Sequence, residues 1–83
     1  MFKNKNEKSN NLCGKNVSAL RKSQSQKMSQ RALAEKLQLL GIDVDKNAIQ
    51  RIECGKRFVT DIELRALAEV FSVTLDELIS AAE

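Results

Sequence analysis

The sequence predicts an all-α chain of five short helices, and three observations carry that expectation. Proline is absent, aromatic residues make up 4% of the chain, and Ala, Leu, Glu, Lys and Gln are common. Those side chains lose little freedom in a helix, whereas strands favour β-branched and aromatic residues. The second observation is a recurring start signal, in which an apolar residue and a capping residue are followed by another apolar residue at helical spacing. It occurs as Met28-Ser29 with Leu33, Val44-Asp45 with Ile49, Val59-Thr60 with Leu64, and Val73-Thr74 with Leu78. Each apolar pair is a hydrophobic staple, and each cap satisfies backbone amides that would otherwise lack partners. The third observation is a pair of stops, Gly41 and Gly55, both suited to the left-handed conformation that ends a helix.

Taken in order, residues 1–14 are rich in Asn and Lys, with only Phe2, Leu12 and Cys13 as large apolar groups. Such a segment buries too little surface to order itself. The expectation is a flexible basic arm over 1–14, able to touch phosphates, and a folded domain over 15–83. The first helix is expected over 17–22, with Val17 and Leu20 on one face. The second runs over 30–40 and buries Leu33, Ala34, Leu37 and Leu40. The third covers 46–53. The fourth spans 61–71, with Leu64, Leu67, Ala68 and Phe71 at core spacing. The fifth starts at Leu75 and buries Leu78 and Ile79. Full capping boxes are expected at Thr60 with Glu63 and at Thr74 with Glu77.

Eighty-three residues make one small domain, which buries only about 60% of its unfolded surface. The net charge of +3 is unevenly distributed. Residues 1–57 carry 13 Lys and Arg against five acids, a net of +8, while residues 58–83 carry Arg65 against six acids, a net of −5. That polarity suits a polyanion at one end and solvent or a partner at the other. With no histidine, and with Cys13 and Cys54 far apart, neither a zinc site nor a disulfide framework is expected. Two free thiols fit a reducing cytoplasm. No long apolar run or signal-peptide core is present, so the chain is read as cytoplasmic with no membrane contact.

Asp43-x-Asp45-x-Asn47 begins like a calcium loop, but Ala48 stands where glycine is needed and Cys54 where the bidentate Glu belongs. No glycine-rich phosphate loop or paired nucleophile and base is apparent, so an enzyme is not expected. No cofactor or small-molecule ligand is indicated.

The third helix carries the chemistry. At about 100° per residue, Lys46, Asn47, Gln50, Arg51 and Cys54 share one sector, with Ala48, Ile49 and Ile52 opposite. The outer sector holds two cations and two amides and no carboxylate. Arg can bond guanine O6 and N7, and Asn or Gln can do the same for adenine N6 and N7. Lys46, Asn47, Gln50 and Arg51 are therefore the expected base-reading residues. Ser29, Gln30 and Arg31 open the second helix, whose free amides attract an anion. Lys56 and Arg57 follow the third. These five are the expected phosphate contacts.

Ser29-Gln30-x-x-Leu33-Ala34-x-x-Leu37 and Ile49-x-x-Ile52-Glu53-x-Gly55-Lys56-Arg57 resemble the second and third helices of the Xre/Cro-type regulators related to the lambdoid phage repressors. Val59-Thr60-Asp61-x-Glu63-Leu64-x-Ala66-Leu67-Ala68 and Val73-Thr74-Leu75-Asp76-Glu77-Leu78 resemble the fourth and fifth. The resemblance covers about residues 15–80. It implies a compact five-helix lambda-repressor-like domain that binds double-stranded DNA through a helix-turn-helix, as a repressor-like bacterial or phage regulator. It also implies a structural pair between Glu53 and Arg21, and a Gln30 that touches phosphate or a base-reading side chain. The stretch from Ala34 to Ile49 is longer than the family's usual one, as in a subgroup of similar regulators, so residues 38–44 lengthen the second helix and the turn after it. A homodimer is expected, with apolar residues of the fifth helix and Ile79-Ser80-Ala81-Ala82 at its contact. The rival reading is a protein-interaction module, or an antitoxin-like partner of another protein, built on the same fold.

Overall fold

A computed structural model describes residues 9–80. Five helices follow in order: α1 Gly14–Lys22, α2 Gln30–Leu39, α3 Lys46–Glu53, α4 Asp61–Phe71 and α5 Leu75–Ile79. All four start signals act as expected. Ser29, Asp45, Thr60 and Thr74 each accept a hydrogen bond from the backbone N–H three residues on, and α4 and α5 both carry the complete capping box. The staple residues all lie in the core or packed against it.

The stops share one geometry. At the end of α2, Gly41 has φ +87°, and its N–H and that of Ile42 reach back to the carbonyls of Gln38 and Leu37. At the end of α3, Gly55 has φ +82°, with Gly55 and Lys56 bonded to Ile52 and Arg51. This is the Schellman arrangement, which satisfies carbonyls left open at a helix end. α4 ends the same way on Ser72, at φ 55°, with no glycine to announce it.

The core is formed by Val17 of α1, Leu33, Ala34 and Leu37 of α2, Ile49 and Ile52 of α3, Ala66–Ala68 and Phe71 of α4, and Leu78 of α5. Each fully buried Leu or Ile contributes about 1.5–3 kcal/mol. α3 packs on both α1 and α2, while α1 also contacts α4 and α5. Two side chains expected inside lie outside. Leu40 is 42% exposed because α2 stops one residue earlier and the left-handed turn at Gly41 brings Ile42 back to the core instead. Ile79 is 37% exposed, since α5 has only five residues and Leu78 alone points inward.

The N-terminal boundary also differs from expectation. Cys13 is 1% exposed, and α1 begins at Gly14, before the expected start. The N-cap residue is Cys13, which makes no side-chain cap bond, and the Gly14 N–H is accepted instead by Asn11 Oδ1 at 2.8 Å. Residues 9–14 therefore belong to the folded unit, not to a flexible arm. Local composition could not show this, because the segment is ordered by α3 and not by itself. Residues 1–8, where the rest of the expected arm falls, and residues 81–83 lie outside the described residues. Burial pushes the Cys13 thiol up to about 11, so it remains a neutral packing group. At the other end of the fold, Asn16 donates to the Leu78 and Ser80 carbonyls at 2.8 and 2.6 Å, closing α5 from outside.

Candidate nucleic-acid interface

α3 has eight residues, too few to be stable alone, so its placement depends on its ends and its buried face. Asp45 accepts from Ala48 N–H at 2.8 Å at the N-terminus, and Ile49 and Ile52 are 0% and 1% exposed. That anchoring turns Lys46, Asn47, Gln50, Arg51 and Cys54 outward, and all five are exposed. Both ion pairs among the described residues use other cations, Arg21 and Arg57, which leaves Lys46 and Arg51 free within that set.

Behind α3 lies a polar network. The Arg21 guanidinium donates through Nε to Glu53 Oε2 at 2.6 Å and through Nη2 to Oε1 at 3.0 Å. Its Nη1 donates to the Met28 carbonyl, and Gln30 Nε2 donates to Glu53 Oε1 at 3.1 Å. The two charged side chains are 13% and 8% exposed. The hydrogen bonds to Glu53 hold the Arg21 guanidinium even more firmly in its charged form, against the opposing effect of burial. One carboxylate thus joins the C-terminus of α3 to α1 and to the start of α2. The Gln30 amide nitrogen is committed within the protein and orients that junction.

Ser29 and Arg31 are exposed at the start of α2, and Lys56 is exposed after α3. An open cleft beside the start of α2 is lined by Arg21, Lys22, Lys27, Met28, Ser29 and Gln30. Lys22 and Lys27 were not singled out in the sequence. Their flanking of a capped helix start was the available signal.

Arg57 is placed differently from the other expected phosphate contacts. It donates to both Glu63 carboxylate oxygens, at 2.9 and 3.0 Å, and to the Phe58 carbonyl. Its guanidinium ties the turn after α3 to the capping box of α4, so it is not among the free cations. The bond from Arg57 holds the Glu63 carboxyl below its ordinary value of 4.5, with help from Thr60 and against burial. The folded state therefore binds this proton less readily than the unfolded chain. Its contribution is fully present above about pH 4.5 and is lost as pH falls through the lower folded value. Glu63→Gln should flatten the acid limb of a stability profile below pH 4.5, and an unchanged limb would contradict the pairing.

The C-terminal turn of α3 has partners that the sequence reading missed. Asn10 and Asn11 donate to the carbonyls of this turn, and Gly14 lies directly against it. The only local hint was an Asn-rich segment ahead of a helix.

Five helices with an exposed polar third helix, braced from behind by Arg21, Glu53 and Gln30, define a helix-turn-helix DNA-binding domain. A family model described as helix-turn-helix matches residues 17–78, and the chain belongs to that family of Xre and lambda-repressor-like regulators. No curated protein and no solved structure matches it. Membership makes this a DNA-binding protein whose partner is double-stranded DNA. No described helix is long and apolar enough to cross a membrane.

Proposed function

We propose that the chain is a sequence-specific, repressor-like regulator of bacterial or phage origin that reads the major groove with α3. The observation that carries this reading is the outward face of Lys46, Asn47, Gln50 and Arg51, free of carboxylates and fixed by the buried Ile49 and Ile52. Arg51 and the two amides supply the donor and acceptor geometry that base edges require. Ser29 and Arg31 at the start of α2, with Gln30 through its backbone, and Lys56 after α3 contact phosphates on either side. Arg57 serves the turn instead.

The active form is a homodimer on a roughly palindromic site, with half-sites about one helical turn apart. Uncovered apolar side chains on α5, Leu75 at 50% and Ile79 at 37% exposure, support a contact there. The same exposed face is what an unrelated protein partner would use. Sedimentation with bound duplex separates the two readings, because a monomer on DNA rules out the dimer.

Selection of bound sites from random duplexes tests the reading directly. A single enriched site is expected, with affinity falling steeply as salt rises because neutralised phosphates release counterions. Absence of duplex binding at moderate salt overturns it. On the selected site, Arg51→Ala should cost about 1–3 kcal/mol and relax preference at one base pair, whereas Lys56→Ala should weaken all sequences alike. Uniform loss from the Arg51 change would assign that side chain to phosphate.

A further inference from the structure

The C-terminal turn of α3 is held by a segment that precedes α1 by only a few residues. Asn10 N–H donates to the Gly55 carbonyl at 2.7 Å, and Asn10 Nδ2 donates to the Lys56 carbonyl at 2.9 Å. Asn11 Nδ2 donates to the Ile52 and Arg57 carbonyls at 3.1 and 2.7 Å. Asn11 Oδ1 meanwhile accepts from the Gly14 N–H at the first residue of α1. One side chain thus joins the start of α1 to the end of α3, using its acceptor for the first and its donors for the second. Backbone carbonyls are obligatory acceptors, and at a helix end they have no partner within the helix.

We propose that Asn10 and Asn11 form a latch that seats the last turn of α3, making Asn11 a positioning residue for base recognition. The inference rests on the DNA-binding reading above and extends it to residues outside the helix-turn-helix. Arg51 sits three residues before the Cys54 cap of α3, and Lys56 lies in the latched turn itself. The N-terminal end of α3 has its own cap and staple. At its C-terminal end Glu53 is braced by Arg21 and Gln30. The backbone carbonyls of the closing turn are held by the Schellman bonds, by this latch and by Ser9 Oγ on the Gly55 carbonyl. Releasing the latch lets the last turn of α3, which carries Gln50 and Arg51, shift relative to its first turn. Base contacts tolerate such a shift far less than phosphate contacts, because bidentate pairing fixes both distance and direction.

Asn11→Ser separates the two roles of this residue. Serine keeps a side-chain oxygen as an acceptor for the Gly14 N–H, while the two bonds donated by the amide are lost. Asn10→Ala removes the other side-chain bond and leaves Asn11 in place, so it serves if Asn11→Ser proves unstable. Full-length protein is titrated with the selected duplex and with a random-sequence duplex, and amide exchange is followed at Lys56 and Arg57. Affinity for the selected duplex should fall about tenfold or more, the scale of one lost base contact. Random-duplex affinity and its salt slope should stay as in the wild type, while exchange at Lys56 and Arg57 quickens. Equal loss on both duplexes overturns positioning, and so does faster exchange with unchanged affinity on both. A wild-type protein that binds neither duplex defeats the DNA-binding reading itself, before any variant is made.

Discussion

Glu53→Ala should destabilise the domain by about 3 kcal/mol, the low end for removing one partner of a buried ion pair, because Arg21 and Glu53 keep 13% and 8% exposure. The substitution strips the Arg21 guanidinium of both carboxylate bonds and leaves it only the Met28 carbonyl. It also removes the acceptor of Gln30 Nε2. A cation and an amide then sit poorly paired in the angle between α1, α2 and α3. In a domain of this size the loss corresponds to roughly 12–24 °C in Tm. Thermal and urea unfolding measure it, with Glu35→Ala as an exposed carboxylate control on α2, expected within about 0.5 kcal/mol of wild type. A Glu53→Ala loss below 1 kcal/mol would mean that the network contributes little to stability.

Gly14→Ala should cost about 2 kcal/mol, although alanine is the better helix former. A Cβ at this position would overlap the Ile52 carbonyl oxygen, with the Glu53 carbonyl 3.2 Å away and Asn11 Oδ1 3.0 Å away. The propensity gain is at most about 1 kcal/mol, and less in the first turn than in a helix interior. Overpacking typically costs about 1–3 kcal/mol, and a backbone oxygen cannot rotate away as a side chain can. The clash therefore wins, and α1 must move off the end of α3. Denaturant unfolding reads the loss, and a neutral or stabilising Gly14→Ala would show that the two helix ends are not held in contact. The same substitution should speed amide exchange at Lys56, since it displaces Asn11.

Gly14 and Glu53 also mark where reading the sequence succeeds and where it stops. The bounds of α3 were legible because Asp45, the Val44–Ile49 staple and Gly55 are local signals separated by a turn or two. Its outward face followed from the helical period alone. The Arg21–Glu53 pair was suggested only by family resemblance, since nothing in the spacing of residues 32 apart brings them together. Arg57 and Gln30 looked like free polar groups because their partners, Glu63 and Glu53, lie on other elements. Leu40 looked like core because the helical period was carried one residue past the point where Gly41 turns the chain.

The sequence by itself thus determined the five helices, the N-caps of α2 to α5, most of the core face and the set of side chains on the outside of α3. These depend on interactions within a few residues along the chain. Only the tertiary structure decided how α3 is braced. Asn11, Gly14 and Arg57 acquire their roles from backbone carbonyls and carboxylates that sequence distance hides. A close approach between helix ends is a property of the packed chain, and no local pattern encodes it.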